Sequence, residues 1–119
     1  MRNSFVGFSD IGSLVENAVF IRLCELYGAE NISYLSDSRS NEIDFIVKTK
    51  YEKYILVESK YNDLLESIVN SLSKVFTGDL FGKTIVKRVV VTDGVNSSQV
   101  LNGVEIELIG LEEFLSKEF

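Results

Sequence analysis

Two stretches decide the reading of this chain: Glu42-Ile43-Asp44-Phe45-Ile46-Val47, and Tyr54-Ile55-Leu56-Val57-Glu58-Ser59-Lys60 after a polar turn at Lys50 to Lys53. Ile43 to Val47 is apolar on both faces apart from Asp44, and Tyr54 to Val57 is continuously apolar up to Glu58. Runs this short and this β-branched read as strands covered on both faces. If the turn centres on Tyr51, antiparallel pairing sets Asp44 opposite Glu58. Directly opposed residues hold their Cβ atoms roughly 4.5–5.5 Å apart, and like charges there are destabilising. An ionised group buried without a partner costs several kcal/mol, so something must compensate this pair.

The elements around this hairpin follow from spacing. Gly12 to Tyr27 has helical periodicity, with Glu16, Phe20, Leu23 and Tyr27 expected on one face. Ser9, Asp10 and Ser13 are alternative N-caps, and Gly28 is the expected stop. Asn31 to Ser36 reads as a strand, followed by a polar stretch from Ser36 to Asn41. Asn62 to Phe76 returns to helical spacing through Leu65, Ile68, Leu72, Val75 and Phe76. Ile85 to Thr92 is a strand closed by Asp93-Gly94, and Val104 to Ile109 is an expected edge strand with Glu105 and Glu107 pointing outward. A short helix from Leu111 to Lys117 ends the order α-β-β-β-α-β-β-α. That order predicts an α/β fold, a mixed central sheet with helices on both faces, formed by residues 1–119 as a single domain.

Composition narrows the chemistry. At 119 residues and 45% apolar content the chain can fill one core. No window approaches a membrane span, and the first ten residues lack the layout of a secretory leader, so a cytoplasmic location without membrane contact is expected. The single Cys24 sits in a helical apolar pattern and reads as a small hydrophobe. Histidine is absent, which removes the commonest general base, the usual zinc ligand and every Ser/His or Cys/His nucleophile. Catalysis would rest on carboxylates, lysines and a hard metal. The net charge of −6 runs against a protein that grips phosphates along its whole surface and predicts weak, salt-sensitive binding to nucleic acid.

A divalent cation is the economical compensation for Asp44 beside Glu58, because Mg²⁺ is held by one or two carboxylates with water and substrate phosphate completing its shell. The backbone carbonyl next to Glu58, that of Ser59, is a further candidate oxygen. Strand alternation puts Glu58 and Lys60 on one face and Ser59 on the other. Such a group suits phosphodiester hydrolysis, with the lysine orienting water or stabilising the pentavalent transition state.

The segments GSLVENAVFIRL around Glu16, EIDFIV around Asp44 and VESKY around Glu58 and Lys60 resemble the helix glutamate, aspartate strand and E-x-K motif of the PD-(D/E)xK nuclease superfamily. More narrowly they resemble the nuclease-like domain at the C-terminus of prokaryotic AAA-type ATPases, and Holliday-junction-resolvase-like and restriction-endonuclease-like proteins. Ile43 stands where the motif's proline would precede the aspartate. The resemblance implies a restriction-endonuclease-like, three-layer αβα sandwich in which Asp44 and Glu58 bind metal, Lys60 assists the attacking water and Glu16 lies in or beside the metal shell. It also implies DNA, branched DNA included, as substrate, a homodimer as one assembly, and an AAA-type ATPase as one partner.

The expectation is a Mg²⁺- or Mn²⁺-dependent endodeoxyribonuclease. A non-catalytic accessory or protein-interaction domain that keeps the fold is the alternative, and an RNA-directed nuclease a residual one. Taken alone, E-x-K is frequent by chance, and Asp44 also fits a structural ion pair with Arg39 or Lys60. Gly78 to Thr84, GDLFGKT, has three residues between its glycines and lies between a helix and a strand, the reverse of a P-loop's setting, so it reads as a connection. Lys83, Lys87 and Arg88, with Lys48, Lys50 and Lys53 at the hairpin tip, are candidate phosphate contacts set against ordinary surface charge.

Overall fold

A computed structural model describes residues 11–39 and 41–116. The chain runs through α1 (Ile11–Tyr27), β1 (Ile32–Ser36), β2 (Glu42–Lys48), β3 (Lys53–Ser59), α2 (Leu65–Ser71), β4 (Thr84–Thr92), β5 (Ser97–Leu101), β6 (Val104–Gly110) and α3 (Leu111–Ser116). One six-stranded mixed sheet has the order β1-β2-β3-β4-β6-β5. β1, β2 and β3 form an antiparallel meander; β3, β4 and β6 are parallel; β5 returns antiparallel on β6.

β3 carries the sheet because it is apolar on both faces, as its sequence predicts. Ile55 and Val57 join Val15, Val19 and Leu23 of α1 and Phe114 of α3 in one core. Tyr54 and Leu56 join Ile68 of α2, Phe76 and Leu80 in the other. Leu56 and Val57 are essentially inaccessible to solvent. The helices therefore cover opposite faces, and a charge at the end of β3 leaves an apolar wall behind it.

Four expectations need correction. The buried stripe of α1 is Val15, Val19 and Leu23, with Phe20 exposed although its ring stacks on Phe45 at 5.9 Å. Apolar residues surround most of this helix, so periodicity left its rotation undetermined. The helix expected from Asn62 to Phe76 is confined to Leu65–Ser71. The Ser73 hydroxyl donates to the Glu42 carbonyl at 2.7 Å, tying the chain to β2 where a longer helix would have continued. An additional strand, β5, occupies Ser97–Leu101, so β6 is internal and not an edge. Its signal was the Asn102-Gly103 turn: both residues have positive φ, 52° and 79°, and join two strands paired from Leu101 to Val104. Glu107 accordingly pairs with Lys87 at 3.8 Å, and Glu105 accepts from the Ser98 hydroxyl.

Ser13, an alternative N-cap in the sequence, lies buried inside α1 and does not cap it. Gly28 ends α1 at φ 88° and donates to the Cys24 carbonyl at 2.9 Å. The β2–β3 turn centres on Tyr51. The proposed caps Ser9 and Asp10, and Lys117 at the end of the last helix, lie outside the described residues. Among the described residues no helix is long and apolar enough to cross a membrane.

Beyond the parallel strands' C-terminal ends, Gly110 packs against Gly94, where an added Cβ would meet the Gly94 Cα at 2.9 Å. Gly110→Ala is expected to destabilise the fold by about 1–3 kcal/mol, the usual cost of overpacking, seen as a lower urea midpoint at unchanged slope.

Candidate active site at the β2–β3 strand ends

The hairpin register pairs Phe45 with Val57 and Lys48 with Tyr54, which sets Asp44 across from Glu58 as the turn position implied. The contact is reciprocal. The Asp44 N–H donates to Glu58 Oε1 at 2.7 Å, and the Ser59 N–H donates to Asp44 Oδ2 at 2.8 Å. Each carboxylate thus caps the main chain of the opposite strand just where regular pairing stops.

β2 is irregular at this point. Ser33 pairs with Ile46 but Leu35 with Ile43, so Asp44 and Phe45 together oppose the single residue Tyr34. This bulge breaks side-chain alternation: Ile43 and Ile46 belong to the α2-side core, and Phe45 to the α1-side core. Bulges commonly re-aim a side chain next to a functional site. Here Asp44 lines a cleft of about 570 Å³ together with Glu16 and Phe20 of α1, Tyr34 of β1, and Glu42.

Glu58 is 3% exposed. Burial, and then the negative charge of Asp44, push its carboxyl from the usual 4.5 up to about 8, against the opposing pull of the Asp44 N–H and of Lys60. Lys60 Nζ stands 3.7 Å from Glu58 Oε2 and is part-exposed, so it faces both the buried acid and solvent. The Lys60 N–H donates to the Val91 carbonyl at 2.9 Å, which fixes the start of its side chain against β4.

Of the residues singled out in the sequence, Asp44, Glu58, Ser59 and Lys60 therefore meet. Glu16 shares the Asp44 cleft but not the carboxylate pair; among the described residues no group of three or more His, Cys, Asp or Glu is placed to hold a metal. The donor set still fits a hard divalent ion. Two carboxylates suffice for Mg²⁺, and a buried acid that retains a proton near neutrality is one whose proton a cation can replace. The histidine-free sequence offers oxygen donors in place of zinc's usual nitrogen.

Other candidates take structural roles. Arg88 donates through Nε to the Phe76 carbonyl at 2.9 Å and through Nη2 to the Gly78 carbonyl at 3.0 Å, bracing the GDLFGKT connection instead of facing a phosphate. Lys87 is paired with Glu107. Tyr61, directly after Lys60, was not singled out in the sequence; it lines a cleft with Asp93, and that carboxylate pushes its phenol up from the ordinary value. The Asp93 N–H also donates to the Asn62 carbonyl. Only the parallel pairing of β3 and β4 brings these residues together, so no local motif marks them.

A family model for a domain of unknown function, DUF4143, matches residues 11–113, from the start of α1 into α3. The chain belongs to the DUF4143 family. No curated protein matches the chain. The match spans every element that builds the Asp44–Glu58 site.

The raised Glu58 carboxyl gives a signed pH dependence. Between about pH 4.5 and 8 the native protein keeps a proton that the unfolded chain has released, so this contribution is complete at low pH and is lost as pH rises through 8. Relative to Glu58→Gln, the wild type should lose on the order of a few kcal/mol across that window in EDTA, read from urea midpoints.

Proposed function

We propose that this DUF4143 chain is a Mg²⁺- or Mn²⁺-dependent phosphodiesterase, an endonuclease acting on DNA, with a restriction-endonuclease-like αβα sandwich as its scaffold. The observation that carries the reading is the buried Glu58 held against Asp44 by reciprocal main-chain hydrogen bonds, with Lys60 at 3.7 Å. Capping two main-chain N–H groups does not require two carboxylates forced together on an apolar wall, and such expense concentrates at functional sites.

Asp44 and Glu58 would hold the cation, with the Ser59 carbonyl as a further oxygen. When bound, the ion supplies charge neutralisation at the phosphate and acidifies water. Lys60 supplies a fixed positive charge at the mouth of the site, where it orients the attacking water or stabilises charge on the phosphoryl oxygens. Glu16, facing the same cleft as Asp44, positions water on the α1 side. The apolar residues behind Glu58, Leu56 and Val57 among them, exclude bulk solvent and strengthen each of these interactions.

One observation favours a second reading. Among the described residues no three carboxylates are placed to hold a metal, and Glu58 can satisfy the site as a neutral acid. On that reading the domain is a non-catalytic accessory or protein-interaction module that retains the fold, with an AAA-type ATPase as a candidate partner.

The readings part on metal and on cleavage. Purified protein should nick plasmid or branched DNA with Mg²⁺ or Mn²⁺ and not with EDTA. Lys60→Ala should slow cleavage by about 10²–10³-fold and Asp44→Ala should abolish it; activity surviving Asp44→Ala overturns the assignment. Millimolar Mn²⁺ should also raise the thermal midpoint of the wild type but not of Asp44→Ala, whereas the accessory module shows no such shift.

A further inference from the structure

The opposite end of the same hairpin has a different character. Lys48, Lys50 and Lys53 line a cleft of about 740 Å³ with Tyr51 at its rim and Leu26, Tyr27, Ile55 and Val86 as an apolar floor. A second cleft of about 310 Å³, lined by Tyr34, Phe81 and Lys83, shares Asn31 and Lys48 with the first, so the two form one band around the end of the sheet. Four of the chain's twelve basic residues stand on this band, with Glu30 the acid in its lining, although the chain as a whole carries −6. Glu52 at the tip is matched by Lys48 at 3.5 Å, and among the described residues Lys50 and Lys53 make no ion pair.

Three large aromatic side chains are presented to solvent here: Tyr51 at 88% exposure, Phe81 at 78% and Tyr34 at 75%. Two of them sit on backbone that disfavours them, with φ of 63° at Tyr51 and 52° at Phe81. The hairpin turn usually assigns such positions to Asn or Gly, which cost least there. Strained backbone that displays an aromatic ring to water, at two separate turns flanking one basic band, is neither a packing solution nor a folding one. Nearby, Lys83 Nζ lies 4.5 Å from the centre of the Tyr54 ring, which holds that lysine at the edge of the band.

We propose that this band, with Tyr51, Phe81 and Tyr34 as stacking platforms and Lys48, Lys50, Lys53 and Lys83 as phosphate contacts, binds single-stranded nucleic acid. Exposed rings alternating with lysines match unstacked bases alternating with phosphates, whereas a duplex hides its base faces and an acidic peptide offers no rings to stack. The lysines at the turn lie roughly 13 Å along β2 from Asp44, counting four residues of strand from Lys48, while the Tyr34 end of the band adjoins the Asp44 cleft, which Tyr34 also lines. The inference does not require the nuclease reading. If both hold, the band leads a strand from the lysines of the turn past Tyr34 toward the Asp44 cleft.

The test is fluorescence anisotropy in EDTA and low salt with labelled oligo(dT) and oligo(U) of about 15 nucleotides, a length within known single-strand site sizes. Both homopolymers present the same phosphates and bases with stackable faces, and the 2′-hydroxyl distinguishes them. The wild type should bind at least one of them more tightly than a duplex of the same length. Tyr51→Gly should weaken binding by roughly tenfold or more at an unchanged salt slope, with a thermal midpoint no lower than that of the wild type because its backbone strain is relieved. Replacing Lys48, Lys50 and Lys53 by Gln should flatten the salt dependence by about 0.7 for each phosphate that is no longer neutralised. Absence of binding to either oligonucleotide overturns the proposal. So does equal affinity of Tyr51→Gly and Phe81→Ala with the wild type, or equal competition by polyglutamate, which would point to an acidic peptide. Cleavage does not enter this assay, so binding without nicking, or nicking without binding, separates this inference from the nuclease reading.

Discussion

A strand covered on both faces cannot carry a charge without an answer close by. β3 is such a strand, with α1 and α3 packed against one side and α2 with the segment after it against the other. Glu58 extends its apolar run, and the hairpin delivers Asp44 to the same place. The resulting repulsion is met in three ways: by main-chain N–H groups donated across the strands, by Lys60, and by a proton retained on Glu58. The proton is the exchangeable member of that set. The proposed chemistry grows from that property of one strand end.

The bulge at Asp44 and Phe45 turns this local problem into a site. Without it, the alternation that sets Phe45 and Val47 on the α1 side and Ile46 on the other would put Asp44 beside Ile46 against the α2-side core. With it, Asp44 faces a cleft that α1 and β1 wall on two sides, and Glu16 enters the same space. Glu58 stays buried. The two carboxylates are thereby differentiated, one part-buried and lining a cleft and one held in a low-dielectric setting.

The hairpin is used at both ends. Its open end gathers negative charge and a lysine, and its turn gathers lysines and exposed rings, so a short antiparallel pair carries two surfaces of opposite sign. Overall charge therefore says little about what such a chain can touch. Long-range repulsion from the acidic β5–β6 and α3 region is screened over about 8–10 Å at ordinary salt, and the local potential governs contact.

The α/β class, the two-faced central strands, the Tyr51-centred turn and the opposition of Asp44 to Glu58 were all legible in the sequence, because each depends on neighbours along the chain or across one tight turn. Strand alternation placed Lys60 with Glu58 for the same reason. Glu16 was legible as a helix residue on the correct element, but its exact company was not, since α1 is apolar around most of its surface and only docking on the sheet selects Val15, Val19 and Leu23 for burial. β5, Ser-Ser-Gln-Val-Leu, was not legible because an edge strand needs little apolar content. The bulge, the meeting of Tyr61 with Asp93, the bracing role of Arg88 and the joining of two clefts at Lys48 were decided by tertiary structure alone. Each arises where strands distant in sequence are laid side by side, and burial and main-chain pairing then choose among side chains that local pattern leaves equivalent.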